Sequence, residues 1–337
     1  MTLLMIFTIL LVASSQIEGH LKFDIHDAQH YFETFIVNYN KQYADTKTKN
    51  YRFKIFVQNL EYINEKNKLN DSAIYNINKF SDLSKNELLT KYTGLTSRKP
   101  SNMVKSTSNF CNVIHLDAPP DARDELPQNF DWRVNNKMTS VKDQGACGSC
   151  WAHAAVGTLE TLYAIKHNYL INLSEQQLID CDSANMACDG GLMHTAFEQL
   201  MNAGGLMEEI DYPYQGTKGI CKIDNKKFAL SVSSCKRYIF QNEENLKKEL
   251  ITTGPIAMAI DAASISTYSK GIIHFCENLG LNHAVLLVGY GTEGGVSYWT
   301  LKNSWGSDWG EDGYFRVKRN INACGLNNQL AASATIH

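Results

Sequence analysis

Apolar and polar positions alternate with different periods along this chain, and the changes of period mark its parts. Residues 2–13 are almost wholly apolar and uncharged, fall short of the ~20 residues a membrane span needs, and run into Ala13-Ser14-Ser15. That is the pattern of a signal peptide, with cleavage expected near Ser15 or Gln16, so residues 1–16 are set apart from the fold. From about 24 to 92 the pattern is helical and then meets a strand-like segment. Arg52, Phe56, Asn59, Ile63 and Asn67 recur at spacings of 4, 3, 4 and 4, so they share one helix face with buried polar members. Trp151 to Glu160 reads as a helix, Ser174 N-caps a second through Leu178, and Thr195 to Ala203 gives a third ended by Gly204-Gly205. Beyond about 236 the period shortens. Ile256–Ile260, Ala284–Tyr290, Ser297–Leu301 and Tyr314–Val317 are short apolar runs punctuated by glycine, the mark of strands. The pattern predicts an α+β chain in which a helical lobe (about 126–235) faces a strand-rich lobe (about 236–337) across a cleft.

Two polar breaks precede those lobes. Thr96-Ser97-Arg98-Lys99-Pro100-Ser101-Asn102 has linker composition, and Ala118-Pro119-Pro120-Asp121-Ala122-Arg123-Asp124-Glu125 is held extended by its prolines and open to a protease. Residues 17–125 therefore form a detachable segment ahead of 126–337. Composition adds limits. At 337 residues, 44% hydrophobic and 20% charged, the chain has core enough for two lobes and is neither disordered nor polytopic. A formal net charge of −3 gives no basis for a nucleic-acid partner. Residues 20–110 hold 14 Lys+Arg against 9 Asp+Glu, so the rest is net acidic, and complementary charge would help the two parts dock. Nine cysteines fit an oxidising compartment, where the sequons at Asn70 and Asn172 become glycosylation candidates. A monomer, free of the membrane once the signal is removed, is expected.

The candidate chemistry centres on Gln144-Gly145-Ala146-Cys147-Gly148-Ser149-Cys150-Trp151. Its glycines and serine make a tight turn that sets Cys150 at a helix N-terminus, where free N–H groups and the dipole favour the reactive thiolate. His283 opens a strong strand 133 residues later. It could pair with the Cys150 thiolate and then protonate a leaving amine. Asn303, in Lys302-Asn303-Ser304-Trp305-Gly306, could accept the imidazole's other N–H and fix its tautomer, with Trp305 shielding that bond. The Gln144 amide and the Cys150 backbone N–H could form an oxyanion hole, on the order of 3 kcal/mol per donor. Taken singly, each is more simply a core His, a turn Asn or a solvated Gln; the combination is what is specific. Cys147-x-x-Cys150 also has zinc spacing, but no second CxxC or HxxxH follows, so neither metal nor cofactor is expected.

These motifs resemble the papain family of cysteine peptidases, in its cathepsin-L-like branch, over essentially the whole chain. The resemblance implies a papain-like two-lobed fold, helical lobe plus β-barrel-like lobe, guarded by an α-helical inhibitory propeptide that lies along the cleft. The Arg52-to-Asn67 face is similar to an interrupted propeptide motif, departing from it at Thr48, where Glu is usual. Asn76-x-Asn78-x-Phe80-x-Asp82 resembles a second, with Asn76 where Gly is usual. Also implied are the bridges Cys147–Cys188, Cys181–Cys221 and Cys276–Cys324. Cys111 then falls to the propeptide, and Cys235 is left over as a buried thiol. Gly191 would pair a substrate backbone. Leu192, Met193, Ala259, Leu281 and Ala284 would line an apolar S2 pocket, with Gln329 at its far end and Trp305 completing the site. No insertion separates Cys181 from Cys188, which favours endopeptidase over dipeptidase activity. Protein substrates, the protein's own propeptide and cystatin-like inhibitors are the partners implied, and the secretory pathway is the route. A relative that only binds proteins would keep the fold, yet this chain retains every member of the site. One residue departs from the family: His153 stands where Phe is usual, three residues after Cys150. It is either a core histidine with a backbone partner or a group whose protonation perturbs the pH profile.

Overall fold

A computed structural model describes residues 21–69, 71–95, 111–116, 126–277, 279–326 and 330–337. The expected signal peptide (residues 1–16), Asn70, the proline-rich break at 118–125 and Gln329 lie outside the described residues. The N-terminal segment is built on α1 (Ala28–Asn38) and α2 (Thr46–Lys66). Asp45 caps α2 by accepting from the Thr48 N–H. Phe32, Phe35, Phe56 and Leu60 make the core between the two helices, with Phe56 5.2 Å from Phe32 and 5.1 Å from Phe35 between ring centroids. β1 (Ile74–Tyr75) and α3 (Lys85–Lys91) follow, the latter opened by a reciprocal capping box between Ser84 and Glu87.

The mixed face of α2 has a physical reason. Its apolar members, Phe56 and Ile63, are fully buried. Its polar members hold backbone groups of the segment that follows the helix. Asn59 donates to the carbonyls of Ser81 and Leu83, both at 2.9 Å. Asn67 donates to the Leu21 and Tyr75 carbonyls and accepts from the Tyr75 N–H at 2.8 Å. Arg52 grips both carboxylate oxygens of Glu87 at 2.8 Å. That guanidinium holds the Glu87 carboxyl down at about 2, with burial opposing. The folded value lies below the unfolded one, so the pair's contribution is full above the ordinary glutamate range and fades as pH falls toward 2. Glu87→Gln should therefore cost the N-terminal segment about 1 kcal/mol at pH 7 in urea unfolding, a gap that closes by pH 2. An equal deficit at both pH values would refute the assignment.

The remainder of the chain runs β2 (Asn112–Leu116), β3 (Phe130–Asp131), α4 (Cys150–His167), α5 (Glu175–Cys181) and α6 (Met193–Ala203). It continues through β4 (Leu206–Met207), β5 (Phe228–Leu230), β6 (Val232–Phe240), α7 (Asn245–Thr252), β7 (Ile256–Ile260), β8 (Tyr268–Lys270) and β9 (Ile272–Ile273). β10 (His283–Glu293), β11 (Val296–Lys302), β12 (Tyr314–Lys318) and β13 (Ala331–Ile336) complete it. Nine of these strands form one mixed sheet, ordered β2-β6-β13-β7-β10-β11-β12-β9, with β3 added on β10. The sheet is open among the described residues: its two ends, β2 and β9, do not pair, so the barrel-like lobe is not a closed barrel. β1 and β8 pair antiparallel, joining the N-terminal segment to the main body.

The two lobes are less separate than the change of period implies. The boundary near 235 falls inside β6, whose Val232 and Cys235 pack into the core around α4 and α6, while Tyr238 and Phe240 pack into the core behind the sheet. One strand serves both. α4 is the hub: fourteen of its eighteen residues are buried, so it is enclosed on all sides, not amphipathic. It lies close along β10 because Gly157 has no side chain; a Cβ there would stand 3.1 Å from Leu286. That approach brings the first residue of α4 to the first residues of β10.

Four disulfides are present: Cys147–Cys188, Cys181–Cys221, Cys276–Cys324 and Cys111–Cys235. The last corrects the expectation of a free thiol at Cys235. β6 carries Cys235 into contact with the start of β2, two segments 124 residues apart in sequence. Cys150 is the free cysteine among the described residues.

Candidate active site

Cys150 is the N-terminal residue of α4, fully buried. Burial pushes its thiol up to about 12, against backbone N–H groups of Ala284, Trp151 and Gly94 that favour the thiolate. The thiolate expected from the helix N-terminus is thus suppressed in this form, because desolvation outweighs the dipole. Cys150 packs in one buried cluster with Ala284, which brings His283, its neighbour on β10, to the same end of the cleft. His283 Nε2 lies 2.8 Å from Asn303 Oδ1, and Nδ1 has no protein partner among the described residues. With Nε2–H given to Asn303, Nδ1 is the nitrogen left to face the thiol. Burial also pushes His283 down to about 4, so thiol and imidazole are both held neutral.

Asn303 reaches His283 through sheet register. Leu286 pairs with Lys302 across β10 and β11, so the residue after β11 stands near the start of β10. The Trp305 ring covers the imidazole, 4.8 Å between centroids, and is itself fully buried. Gln144 is fixed at both ends: Oε1 accepts from Ser304 Oγ at 2.6 Å, and Nε2 donates to the Cys147 carbonyl at 2.7 Å. The structure therefore brings Cys150, His283, Asn303, Gln144 and Trp305 together from α4, the ends of two strands and two loops.

Residues 92–95 of the N-terminal segment occupy the groove above them. The Tyr92 carbonyl accepts from Gln144 Nε2 at 3.1 Å and from Trp305 Nε1 at 3.0 Å. Gly94 and Leu95 donate to the Asn282 carbonyl at 3.1 and 2.9 Å, and the Gly191 N–H donates to the Gly94 carbonyl at 2.8 Å. Leu95 packs on the apolar cluster that contains Met193, Ala259 and Ala284, with Leu281 at its margin. Leu192 stands outside that cluster, half-buried, its N–H held by Asn185 Oδ1. With this stretch in place Cys150 is fully buried, so the thiol is shielded from solvent.

Ion pairs fasten the segment beside the groove. Lys79 Nζ bridges Asp143 and Asp308 at 2.7 and 2.8 Å, and Lys85 pairs with Glu277. Phe80 packs edge-on against Trp305 at 5.1 Å. The basic segment and acidic body do meet through opposite charges.

Comparison with known proteins agrees with this arrangement. The profile described as Papain family cysteine protease matches residues 126–334, and that of the Cathepsin propeptide inhibitor domain (I29) matches residues 32–88. The chain belongs to the papain family of cysteine proteases. It is 97% identical over 337 residues, all of both chains, to the viral cathepsin of Adoxophyes honmai nucleopolyhedrovirus. To that of Autographa californica nuclear polyhedrosis virus it is 55% identical over 315 residues, 94% of each. Among solved structures, a digestive procathepsin L2 proteinase from Tenebrio molitor larval midgut shares the fold with a TM-score of 0.82 and 34% identity, over 91% of this chain and 99% of that one. A recombinant stem bromelain precursor gives 0.80 and 34%, over 91% and 98%. This papain-family protease is therefore a zymogen, with its propeptide seated in the cleft.

His153, the departure from the family, is 8% exposed, with Nδ1 3.0 Å from the Ser149 carbonyl and its ring edge-on to Tyr214. Burial pushes its pKa down to about 4 from 6.5, the Ser149 carbonyl opposing. The folded value is the lower one, so the unfolded chain takes up the proton first as pH falls, and the protein loses stability between 6.5 and 4. His153→Phe should escape up to about 3 kcal/mol of that loss in urea unfolding at pH 7 and pH 4. Its kcat/KM profile above pH 5 should match wild type. Identical pH dependence of stability in the two proteins would remove the histidine from the account.

Proposed function

We propose that the chain is the zymogen of a cysteine endopeptidase in which Cys150 attacks the peptide carbonyl. His283 takes the thiol proton and returns it to the leaving amine. Asn303 holds the imidazole in its productive tautomer under Trp305. The Gln144 amide and Cys150 N–H receive the developing oxyanion. The observation that carries this reading is the fixed His283–Asn303 pair, 2.8 Å long, at the end of the strand whose next residue, Ala284, packs in one cluster with Cys150. With the propeptide gone, water re-enters, burial no longer opposes ionisation, and the thiolate–imidazolium pair can form.

Gly191 would then pair the substrate backbone as it now pairs Gly94, and Met193, Ala259, Leu281 and Ala284 would receive an apolar P2 side chain where Leu95 now packs. Leu192 and Gln329 remain assigned to the pocket by resemblance alone. Maturation near Leu126 gives a protease of residues 126–337, entering by the secretory pathway and acting in a lysosome-like or extracellular space. Likeness to viral cathepsins supports breakdown of host proteins and tissue as its role. Cystatin-like inhibitors would bind the same cleft, and a glycan would sit at the exposed Asn172. Among the described residues no helix is long and apolar enough to cross a membrane.

The test is to acidify the purified zymogen and follow its mass and its hydrolysis of Phe-Arg and Arg-Arg fluorogenic peptides. Loss of the propeptide, inhibition by an epoxide thiol reagent and at least tenfold preference for Phe-Arg are expected. Silence after trimming near Leu126 would favour a binding protein, and faster hydrolysis of Arg-Arg would overturn the P2 assignment.

A further inference from the structure

The Cys111–Cys235 bridge lies upstream of the segment where maturation is expected to cut, yet it ends in the body of the protease. Cys111 is 2% exposed and Cys235 is fully buried. The bridge is one contact of several. β2 runs parallel to β6 over five residue pairs, from Asn112↔Lys236 to Leu116↔Phe240, and forms the end strand of the main sheet. The Cys111 N–H donates to a Glu198 carboxylate oxygen of α6 at 3.2 Å, and the Asn245 side chain donates to the Leu116 carbonyl. Ile114 and Leu116 pack against the core behind the sheet. Without β2, a nine-residue strand would present an unpaired edge.

These contacts differ in kind from those in the cleft. Tyr92, Gly94 and Leu95 are held by a few backbone hydrogen bonds, and the ion pairs beside them are weakened by salt and acid. β2 is held by a covalent bond that acid leaves intact. We infer that β2 is a permanent part of the mature protease, a short second chain bound through Cys111–Cys235, and that only the part of the propeptide before Cys111 is an inhibitor. The inference rests on the proposed maturation near Leu126. It has a consequence for the order of events. A single cut after Leu116 leaves the inhibitory stretch tethered at an effective concentration on the order of millimolar, so activity is not released. Release requires a second cut between Leu95 and Cys111, or reduction of the bridge by a dithiol, which delivers two electrons and two protons and becomes a disulfide itself.

Intact mass of the acid-matured protein, denatured without and then with a reductant, tests the assignment. The unreduced species should exceed the reduced protease chain by the mass of a peptide that contains Cys111–Leu116. No mass change on reduction would overturn it. A second arm does not depend on self-processing. The full-length Cys150→Ala chain is nicked after Arg123 with trypsin and run on denaturing gels. The piece carrying Cys111 should stay with the protease body until reductant is added, and the same piece should separate without reductant in Cys150→Ala/Cys235→Ala. Separation without reductant in the parent chain would refute the tether whatever the acid arm shows. Retention there with no acid activation would count against the maturation reading alone.

Discussion

Replacing Cys150 with alanine is expected to lower kcat/KM of the trimmed protease by at least about 10^4-fold, with little effect on folding. Cys150 is the first residue of α4, and loss of one sulfur removes little packed volume, so the fold should hold. Gln144 and the residue 150 N–H would still polarise a carbonyl, which sets the floor for residual catalysis. Cys150→Ser is the sharper variant. It keeps the volume and the helix N-terminus but substitutes a hydroxyl that the same N–H groups cannot ionise near neutral pH, so its activity should fall near that of alanine. Hydrolysis of a Phe-Arg peptide by both variants, trimmed by an added protease and cleared of it, measures the effect. A serine variant within tenfold of wild type would mean that thiolate formation is not what limits the site.

Much of the candidate site is legible in the sequence, and the reasons are local. Cys150 and His283 each sit where an abrupt change of pattern occurs, a glycine turn into a helix and a loop into an apolar strand. The α2 face was readable because spacings of 4, 3, 4 and 4 place side chains on one stripe whatever they later touch. What escaped was held by backbone or by long range. Tyr92, Gly94 and Leu95 act through carbonyls and N–H groups, which every residue possesses, so no side-chain signature marks them. Cys111 and Cys235 pair across 124 residues, and cysteine spacing cannot choose among connectivities. Lys142 bridges Glu160 and Glu175 at 2.7 Å beneath the helical lobe. Nothing in their spacing pairs them with Lys142, and only tertiary packing buries them together. The extent of the sheet has the same origin: β2 and β3, from either side of the proposed cut, extend a sheet that the strand pattern placed in the strand-rich half alone.

The propeptide's hold on the cleft turns on one missing side chain. A Cβ on Gly94 would stand 1.9 Å from the Gly148 carbonyl oxygen and 2.7 Å from its Cα, closer than any contact can be. Gly148 cannot retreat, because its N–H is bonded to the Cys188 carbonyl at 2.9 Å and it lies next to the Cys147–Cys188 bridge. Gly94→Ala must instead lift the covering stretch. That gives up the hydrogen bond from Gly191 and those to Asn282, together about 3 kcal/mol at about 1 kcal/mol each, or roughly a hundredfold in occupancy of the closed state. Lifting also rehydrates Cys150 and removes the burial that holds its thiol at about 12. At pH 7 the unprocessed Gly94→Ala zymogen should be alkylated at Cys150 by iodoacetamide about a hundredfold faster than wild type, followed by intact mass. It should also begin self-processing under milder acidification. The α1–α2 body and its ion pairs are untouched by the change, so the propeptide remains folded and attached while the thiol opens. Alkylation at the wild-type rate would place the barrier to reaction elsewhere, in the Lys79 and Lys85 pairs that anchor the segment beside the groove.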